Sequence, residues 1–192
     1  MCQAASFVVT KDRVFWSKKT DSHEKIIREF SLVPEVAGKI CIVRCEVVPP
    51  EFERYDLPAD KWVYRTDQNG DMLPEWFDDA EVEARCRVAL NEWIKTRVFV
   101  DCSVEIRDVL AFVFSSVVTA RDSSVVTAFD SSVVEAFGSS VVTARDSSVV
   151  TACDFSVVEA FNSSKVDAFG SSVVTARNSS VVTACDSSVV ES

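Results

Sequence analysis

From Ser115 to Ser192 the chain repeats one octad, SSVVTARD and close variants of it, nine times in full and once truncated, with no insertion or deletion. A period this short and regular leaves little choice of architecture. One octad cannot bury a face by itself, so successive octads must stack on one another as a solenoid.

What varies between copies shows which way each position faces. The second position is always serine (Ser116 to Ser188) and the fourth always valine (Val118 to Val190). The sixth is alanine in every complete copy (Ala120 to Ala184). The odd positions change: Phe155 replaces serine, Lys165 replaces valine, the fifth is Thr, Glu or Asp, and the seventh is Arg, Phe or Cys. Side chains alternate faces along a strand, so a constant even set and a variable odd set predict one buried and one exposed face. Lys165 fixes the direction, because an unpaired lysine inside so narrow a core would be very costly. The eighth position is Asp, Gly or Asn, residues suited to a tight corner. Paired serines and β-branched valines disfavour a helix, and dense valine without proline disfavours disorder. The interior is predicted to be thin, with like residues in ladders about 4.8 Å apart and serine hydroxyls bonded to neighbouring backbone carbonyls.

The copies also carry a weaker three-octad order, which would suit a three-sided coil; an extra KVDAF octad interrupts it, so we read it as duplication of a three-octad block. The SSVVTAFD type of octad resembles the GSTLTAGY octads of bacterial ice-nucleation proteins, which implies coils of two octads with one strand from each. The resemblance covers the chain from Ser115 onward. It departs where those proteins carry an outward Thr-x-Thr pair: here the pair is Val117-x-Thr119, and elsewhere Val-x-Glu. It therefore implies the architecture and not the ice function. Five such coils would form a rod about 24 Å long.

Outward valines from Val117 to Val189, interrupted only by Lys165, predict an exposed apolar stripe beside a row of Thr, Glu and Asp. Stripes of this kind mark contact sites. The sequence stops in mid-octad at Val190-Glu191-Ser192 without a polar cap, and an open strand edge invites pairing with another copy. The expected partner is a second copy, giving a homodimer or higher homo-oligomer through the C-terminal coils, with Val173, Thr175, Val181, Thr183, Val189 and Glu191 at the interface. A foreign protein is the alternative partner. The formal charge of −10 argues against direct contact with nucleic acid. The repeats hold nine acidic against four basic side chains, a net of −5 and half of that charge. This is similar in charge and shape to pentapeptide-repeat β-helices that imitate DNA, so a DNA-mimicking inhibitor of a nucleic-acid-handling enzyme is one alternative function.

The residues before the repeats read as a small α+β domain. Ala5–Thr10 and Arg13–Ser17 around Lys11-Asp12 predict a hairpin. Asp21-Ser22-His23-Glu24 and Asp78-Asp79-Ala80-Glu81 read as capping boxes, the first opening a helix with Ile26, Ile27 and Phe30 on its apolar side. The second helix is predicted to bury Val82, Cys86, Ala89 and Trp93. Lys39 to Val48 reads as a strand stopped by Pro49-Pro50, and Trp62 to Arg65 as another. The fold expected is thus an α+β N-terminal domain over 1-106, capping an all-β solenoid (β-helix) of tandem octapeptide repeats over 107-192. The segments MCQAASFVVTKDRVFWS and VYRTDQNGDMLPEWFDD resemble uncharacterised proteins of bacteria and their phages that join such a domain to octad repeats, which implies a bacterial or phage source and no activity.

Three features could carry chemistry. Removal of Met1 would expose Cys2 ahead of a strand, which resembles the start of N-terminal-nucleophile amidohydrolases; His23, the sole histidine, could assist it. No glycine-rich oxyanion segment follows. Asp67-Gln68-Asn69-Gly70-Asp71 has its glycine too early for a calcium loop and reads as an Asn-Gly turn. Cys41 and Cys45 share a strand face and read as buried thiols. Seven cysteines without metal-ligand spacing predict reduced thiols and a cytoplasmic location, and neither a membrane span nor a secretory signal is present in the sequence. The reading is a non-enzymatic interaction and assembly protein needing no cofactor. Its rival is a Cys2 amidohydrolase with the solenoid as its oligomerisation stalk.

Overall fold

A computed structural model of the chain describes residues 5–191. They form two compact units, divided between Thr96 and Arg97. The first unit is built on a four-stranded antiparallel sheet in the order β2-β1-β5-β6, from β1 (Ser6–Thr10), β2 (Val14–Phe15), β5 (Ile42–Val48) and β6 (Val63–Thr66). A small ribbon of β3 (Glu35–Val36) and β4 (Lys39–Ile40) precedes β5. The central strands are apolar on both faces, with Phe7, Val8, Val9, Val43, Cys45 and Val47 fully buried. Helix α1 (His23–Glu29) packs Ile26 and Ile27 against Val8 and Ile42. Helix α2 (Asp79–Arg97) is capped by Asp78, whose Oδ1 accepts from the Glu81 N–H at 2.9 Å.

Several local expectations for this unit shift. The cap of α1 is Ser22, accepting from Lys25 N–H; Asp21 lies outside the helix, and its carboxylate takes the indole N–H of Trp93 at 3.3 Å. The buried stripe of α2 runs Val82, Cys86, Leu90, Trp93, so Leu90 takes the place expected of Ala89. The run from Lys39 to Val48 breaks at Cys41, whose N–H turns away to Pro34 O at 2.8 Å. Asn69 is extended and Gly70 opens a 3₁₀ turn instead of a hairpin turn.

The second unit is the solenoid, about six turns of about 16 residues. Its strands are β7 (Val98–Val100), β8 (Ser103–Arg107), β9 (Leu110–Phe114), β10 (Val117–Arg121), β11 (Val125–Phe129), β12 (Val133–Ala136) and β13 (Val141–Ala144). They continue as β14 (Val149–Ala152), β15 (Val157–Ala160), β16 (Lys165–Ala168), β17 (Val173–Ala176), β18 (Val181–Ala184) and β19 (Val189–Glu191). Even-numbered strands form a six-stranded parallel sheet and odd-numbered strands a seven-stranded one. From β10 onward each strand pairs with the strand two octads later, Val117 with Val133 and Val125 with Val141, so one coil holds two octads.

The solenoid begins at Val98, ahead of the first octad. Val98 pairs with Phe112 and Ser103 with Val117, two positions short of a full pair of octads, while Leu110 pairs with Val125, one position short. These shorter coils turn inward Val104 and Ile106, then Ala111 and Val113, in place of the Val and Ala of the repeats. A changed coil length and changed residues together hide them from a search for octads.

Within the repeats the even positions form the core. The valines from Val118 to Val174 and the alanines from Ala120 to Ala168 are at most 1 % exposed, and the serines from Ser116 to Ser172 at most 2 %. Each hydroxyl closes its own corner: Ser132 Oγ donates to Phe129 O at 2.6 Å, Ser140 to Phe137 O at 2.7 Å and Ser148 to Arg145 O at 2.6 Å. Small side chains let the two sheets approach, and serine satisfies carbonyls that water cannot reach. Ser156, which follows the substituted Phe155, is the exception: its buried hydroxyl has no hydrogen-bond partner among the described residues.

The corners are of two kinds. From β11 onward, chains leaving the seven-stranded sheet turn through two successive left-handed residues, such as Asp130-Ser131 at φ 51° and 63° and Asn178-Ser179 at 51° and 65°. Those leaving the six-stranded sheet use one, and the ladder there alternates Asp122, Gly138, Asp154, Gly170 and Asp186. The Gly138 N–H donates to Asp154 Oδ2 at 2.9 Å and the Gly170 N–H to Asp186 Oδ2 at 3.2 Å. Each aspartate thus caps the glycine of the coil beneath it. Asp154→Ala removes that cap and places alanine at φ 58°, so solenoid stability should fall by about 1–2 kcal/mol. Chemical denaturation read by far-ultraviolet circular dichroism checks this, with Asp154→Asn retaining more of the stability.

Candidate functional site

The odd positions of the octads make the surface, and the two-strand coil distributes them over two faces. The six expected interface residues therefore divide: Val173, Thr175, Val189 and Glu191 lie on the seven-stranded sheet, Val181 and Thr183 on the six-stranded one. The valine stripe is two stripes. On the six-stranded face it runs Val117, Val133, Val149, Lys165, Val181, with Val117 51 % and Val181 60 % exposed. On the other it is unbroken from Leu110 through Val125, Val141, Val157 and Val173 to Val189.

Beside the first stripe the fifth position alternates without exception: Glu105, Thr119, Glu135, Thr151, Asp167, Thr183. Strands about 4.8 Å apart then hold successive acids about 9.6 Å apart, near the screening length of about 8–10 Å in physiological salt. This spacing keeps like charges in one ladder from destabilising it. Arginines neutralise the acid nearest the start: Arg121 Nε donates to Glu105 Oε2 at 3.1 Å and Arg107 Nη2 to Oε1 at 2.7 Å. Together, Arg121 first, they hold the Glu105 carboxyl below its usual range. At the seventh position arginine caps phenylalanine of the next coil, Arg121 over Phe137 at 4.8 Å and Arg145 over Phe161 at 5.4 Å. The two-coil alternation of the fifth position belongs to the six-stranded sheet; on the seven-stranded one the fifth positions run Thr127, Thr143, Glu159, Thr175 and Glu191.

The first unit holds a second cluster. His23, the first residue of α1, is 2 % exposed. Its Nε2 lies 3.0 Å from the Cys45 carbonyl of β5, and its Nδ1 lies 3.3 Å from Asp67 Oδ2, just past the end of β6. Glu46, the residue after Cys45, is also buried, and its Oε2 accepts from Arg65 Nε at 2.9 Å and Nη2 at 2.5 Å. One ligand atom from each of His23, Glu46 and Asp67 lies within 4.8 Å of the others. Asp67 also lines a cleft of about 310 Å³ with Pro34, Ile42, Arg44 and Met72.

Cys2 lies outside the described residues. Cys41 and Cys45 do not converge: Cys41 Sγ points to Lys39 O at 3.4 Å, while Cys45 is buried beside Tyr64 at 3.6 Å. The Cys86 thiol, hydrogen-bonded to Cys45 and buried, is pushed well above its ordinary range, and burial does the same to the Tyr64 hydroxyl. Both stay protonated and neither is an activated nucleophile. Comparisons with protein-family models, with curated proteins and with solved structures find no match. Among the described residues no helix is long and apolar enough to cross a membrane.

The sequence singles out His23, and Asp67 only within the Asp67–Asp71 segment weighed as a calcium loop; Glu46 is not singled out. Glu46 carries a signal, an acid inside the apolar run of β5. Asp67 sits at the head of the segment that reads as an Asn-Gly turn, which gives its carboxylate no separate role.

Proposed function

We propose that this is a non-enzymatic interaction and assembly protein whose solenoid binds a second copy of itself through the outer face of the six-stranded sheet. One observation carries the reading. On β16, Lys165 and Asp167 sit at the third and fifth positions of one strand, both exposed, and among the described residues neither has an ion-pair partner. A two-fold axis running along the stack and passing over the fourth position would reverse the strands of the second copy. Lys165 then faces the partner's Asp167, and Asp167 faces the partner's Lys165, the reciprocal contact of an isologous interface. The same operation lays each valine of the stripe against the fifth-position residue of the other copy: Val117 on Thr119, Val149 on Thr151, Val181 on Thr183, and Val133 on Glu135.

The seven-stranded face offers no such reciprocal ion pair, because its third positions are all aliphatic and give its acids, Glu159 and Glu191, no cation to face. The proposed face spans roughly 25 Å by 16 Å, about 400 Å² as a flat patch, small beside the roughly 800 Å² per partner of stable complexes. Association should accordingly be weak and concentration-dependent. Light-scattering mass of the full chain should rise from one copy toward two with increasing concentration, and fall again in high salt as the exposed pairs are screened. A mass of one copy at every concentration and salt would count against self-association and direct the search to a foreign partner.

A further inference from the structure

We propose that Asn69 is a chemical modification site: the backbone nitrogen of Gly70 attacks its side-chain amide, which leaves as ammonia and puts a new carboxylate on the wall of the cleft. The site is independent of the solenoid face. Asn69 and Gly70 are both exposed, and Asn69 lines the same cleft as Asp67. Asn69 is extended, at φ −67° and ψ 147°, ahead of the 3₁₀ turn. The Gly70 N–H has no hydrogen-bond partner among the described residues, and nothing lies within 4 Å of where a Cβ would stand. A nitrogen neither held nor shielded can swing onto Cγ, and glycine permits the backbone rotation this requires. The rotation gives up one exposed bond, from the Met72 N–H to Asn69 O at 2.9 Å.

The step needs water as its only co-reactant. The Gly70 amide proton is lost, the N–Cγ bond forms, the Cγ–Nδ2 bond breaks, and the amide nitrogen departs as ammonia. Water then opens the succinimide ring. Opening at Cγ leaves aspartate; opening at the Asn69 main-chain carbonyl leaves isoaspartate, with one more methylene in the backbone. The fold separates this asparagine from the other three. Asn91 lies within α2, where the next N–H is committed to the helix ladder. Asn162 and Asn178 sit at left-handed corners, each at φ 51°, and precede serines whose side chains crowd the attacking nitrogen. The Ser163 N–H also donates to Asn178 O at 3.3 Å.

Gln68 gives the modification a structural consequence. Past the end of β6, pairing with β5 passes to the Asp67 backbone and the Gln68 side chain. The Asp67 N–H donates to Arg44 O at 2.8 Å, and the Arg44 N–H donates to Gln68 Oε1 at 3.2 Å. Gln68 Nε2 donates to Ile42 O at 3.3 Å and to Met72 O. A backbone lengthened at Asn69 draws Met72 away from Gln68 and loosens this hold on β5.

Ageing the reduced, full-length protein in mildly alkaline buffer tests this, with peptide mapping by mass spectrometry that resolves asparagine, aspartate and isoaspartate. Asn69 should convert while Asn91, Asn162 and Asn178 stay intact. Gly70→Ala, whose Cβ meets no neighbour, should slow conversion by about tenfold or more, a barrier higher by about 1.4 kcal/mol. Hydrogen exchange at the Arg44 amide should quicken in the aged protein. An intact Asn69, conversion of Asn162 or Asn178 at the same rate, or an unchanged rate in Gly70→Ala would overturn the proposed site. Unchanged exchange at Arg44 in fully converted protein would overturn its effect on β5.

Discussion

Val142→Lys is expected to unfold the middle of the solenoid, whereas Val141→Lys, one residue away, is expected to leave stability within about 0.5 kcal/mol. Val142 is fully buried between Val126 and Val158 of the neighbouring coils, and Val141 is 38 % exposed. The core is a stack of Ser, Val and Ala with neither an acid to pair a lysine nor space for its stem. An unpaired ammonium there costs several kcal/mol, about 4 or more. Because each coil rests only on its neighbours, the damage should propagate as separation of the stack at β13 and not as uniform weakening. Amide hydrogen exchange should show loss of protection centred on β13 in Val142→Lys and an unchanged pattern in Val141→Lys. Equal protection in both variants would mean that the faces are wrongly assigned.

Gly138→Ala should have the second largest effect. The residue has φ +70°, where a Cβ costs about 1–2 kcal/mol by itself. That Cβ would also stand 3.0 Å from Asp122 O and 3.2 Å from Asp122 Cα and N, all backbone atoms of the coil beneath. Relief requires the coils to part locally, so the total should reach about 2–4 kcal/mol. Gly70→Ala is the control, since nothing lies within 4 Å of its Cβ position. The assay can separate the two units. All four tryptophans, Trp16, Trp62, Trp76 and Trp93, precede the solenoid, so tryptophan fluorescence reports the first unit while circular dichroism reports both. Gly138→Ala should shift the dichroism transition and leave the fluorescence transition in place. A fluorescence shift of equal size would contradict a local steric cause.

These effects depend on features that are unequally legible in the sequence. The inward Ser-Val-Ala set needs no structure, because ten copies of an octad amount to an internal comparison in which Lys165 and Phe155 mark the outer face. The first coils are not legible, since Val104, Ile106, Ala111 and Val113 keep the apolar alternation but lose both the residue types and the two-octad spacing. The alternation of Asp with Gly at one corner, and of acid with threonine on one face, is present as a pattern. It cannot be read until the two octads of a coil are assigned to different sheets. In the first unit, local signals place the helices within a residue or so, and packing settles what they leave open, as where Leu90 fills the stripe expected of Ala89. The His23 cluster is hidden for another reason: its members lie far apart in the chain, on α1, on β5 and beyond β6, and only strand pairing brings them together.

Self-association through the six-stranded face is tested most directly by exchanging its two charges. Sedimentation velocity at matched concentration would compare the parent with Lys165→Asp, Asp167→Lys and the combination of both. Each single change sets like charges against each other across the proposed two-fold axis, so both single variants should sediment as one copy. The double change restores opposite charges in swapped positions and should recover the association of the parent. Identical sedimentation of all four proteins, or a double variant as weakened as the single ones, would contradict the interface.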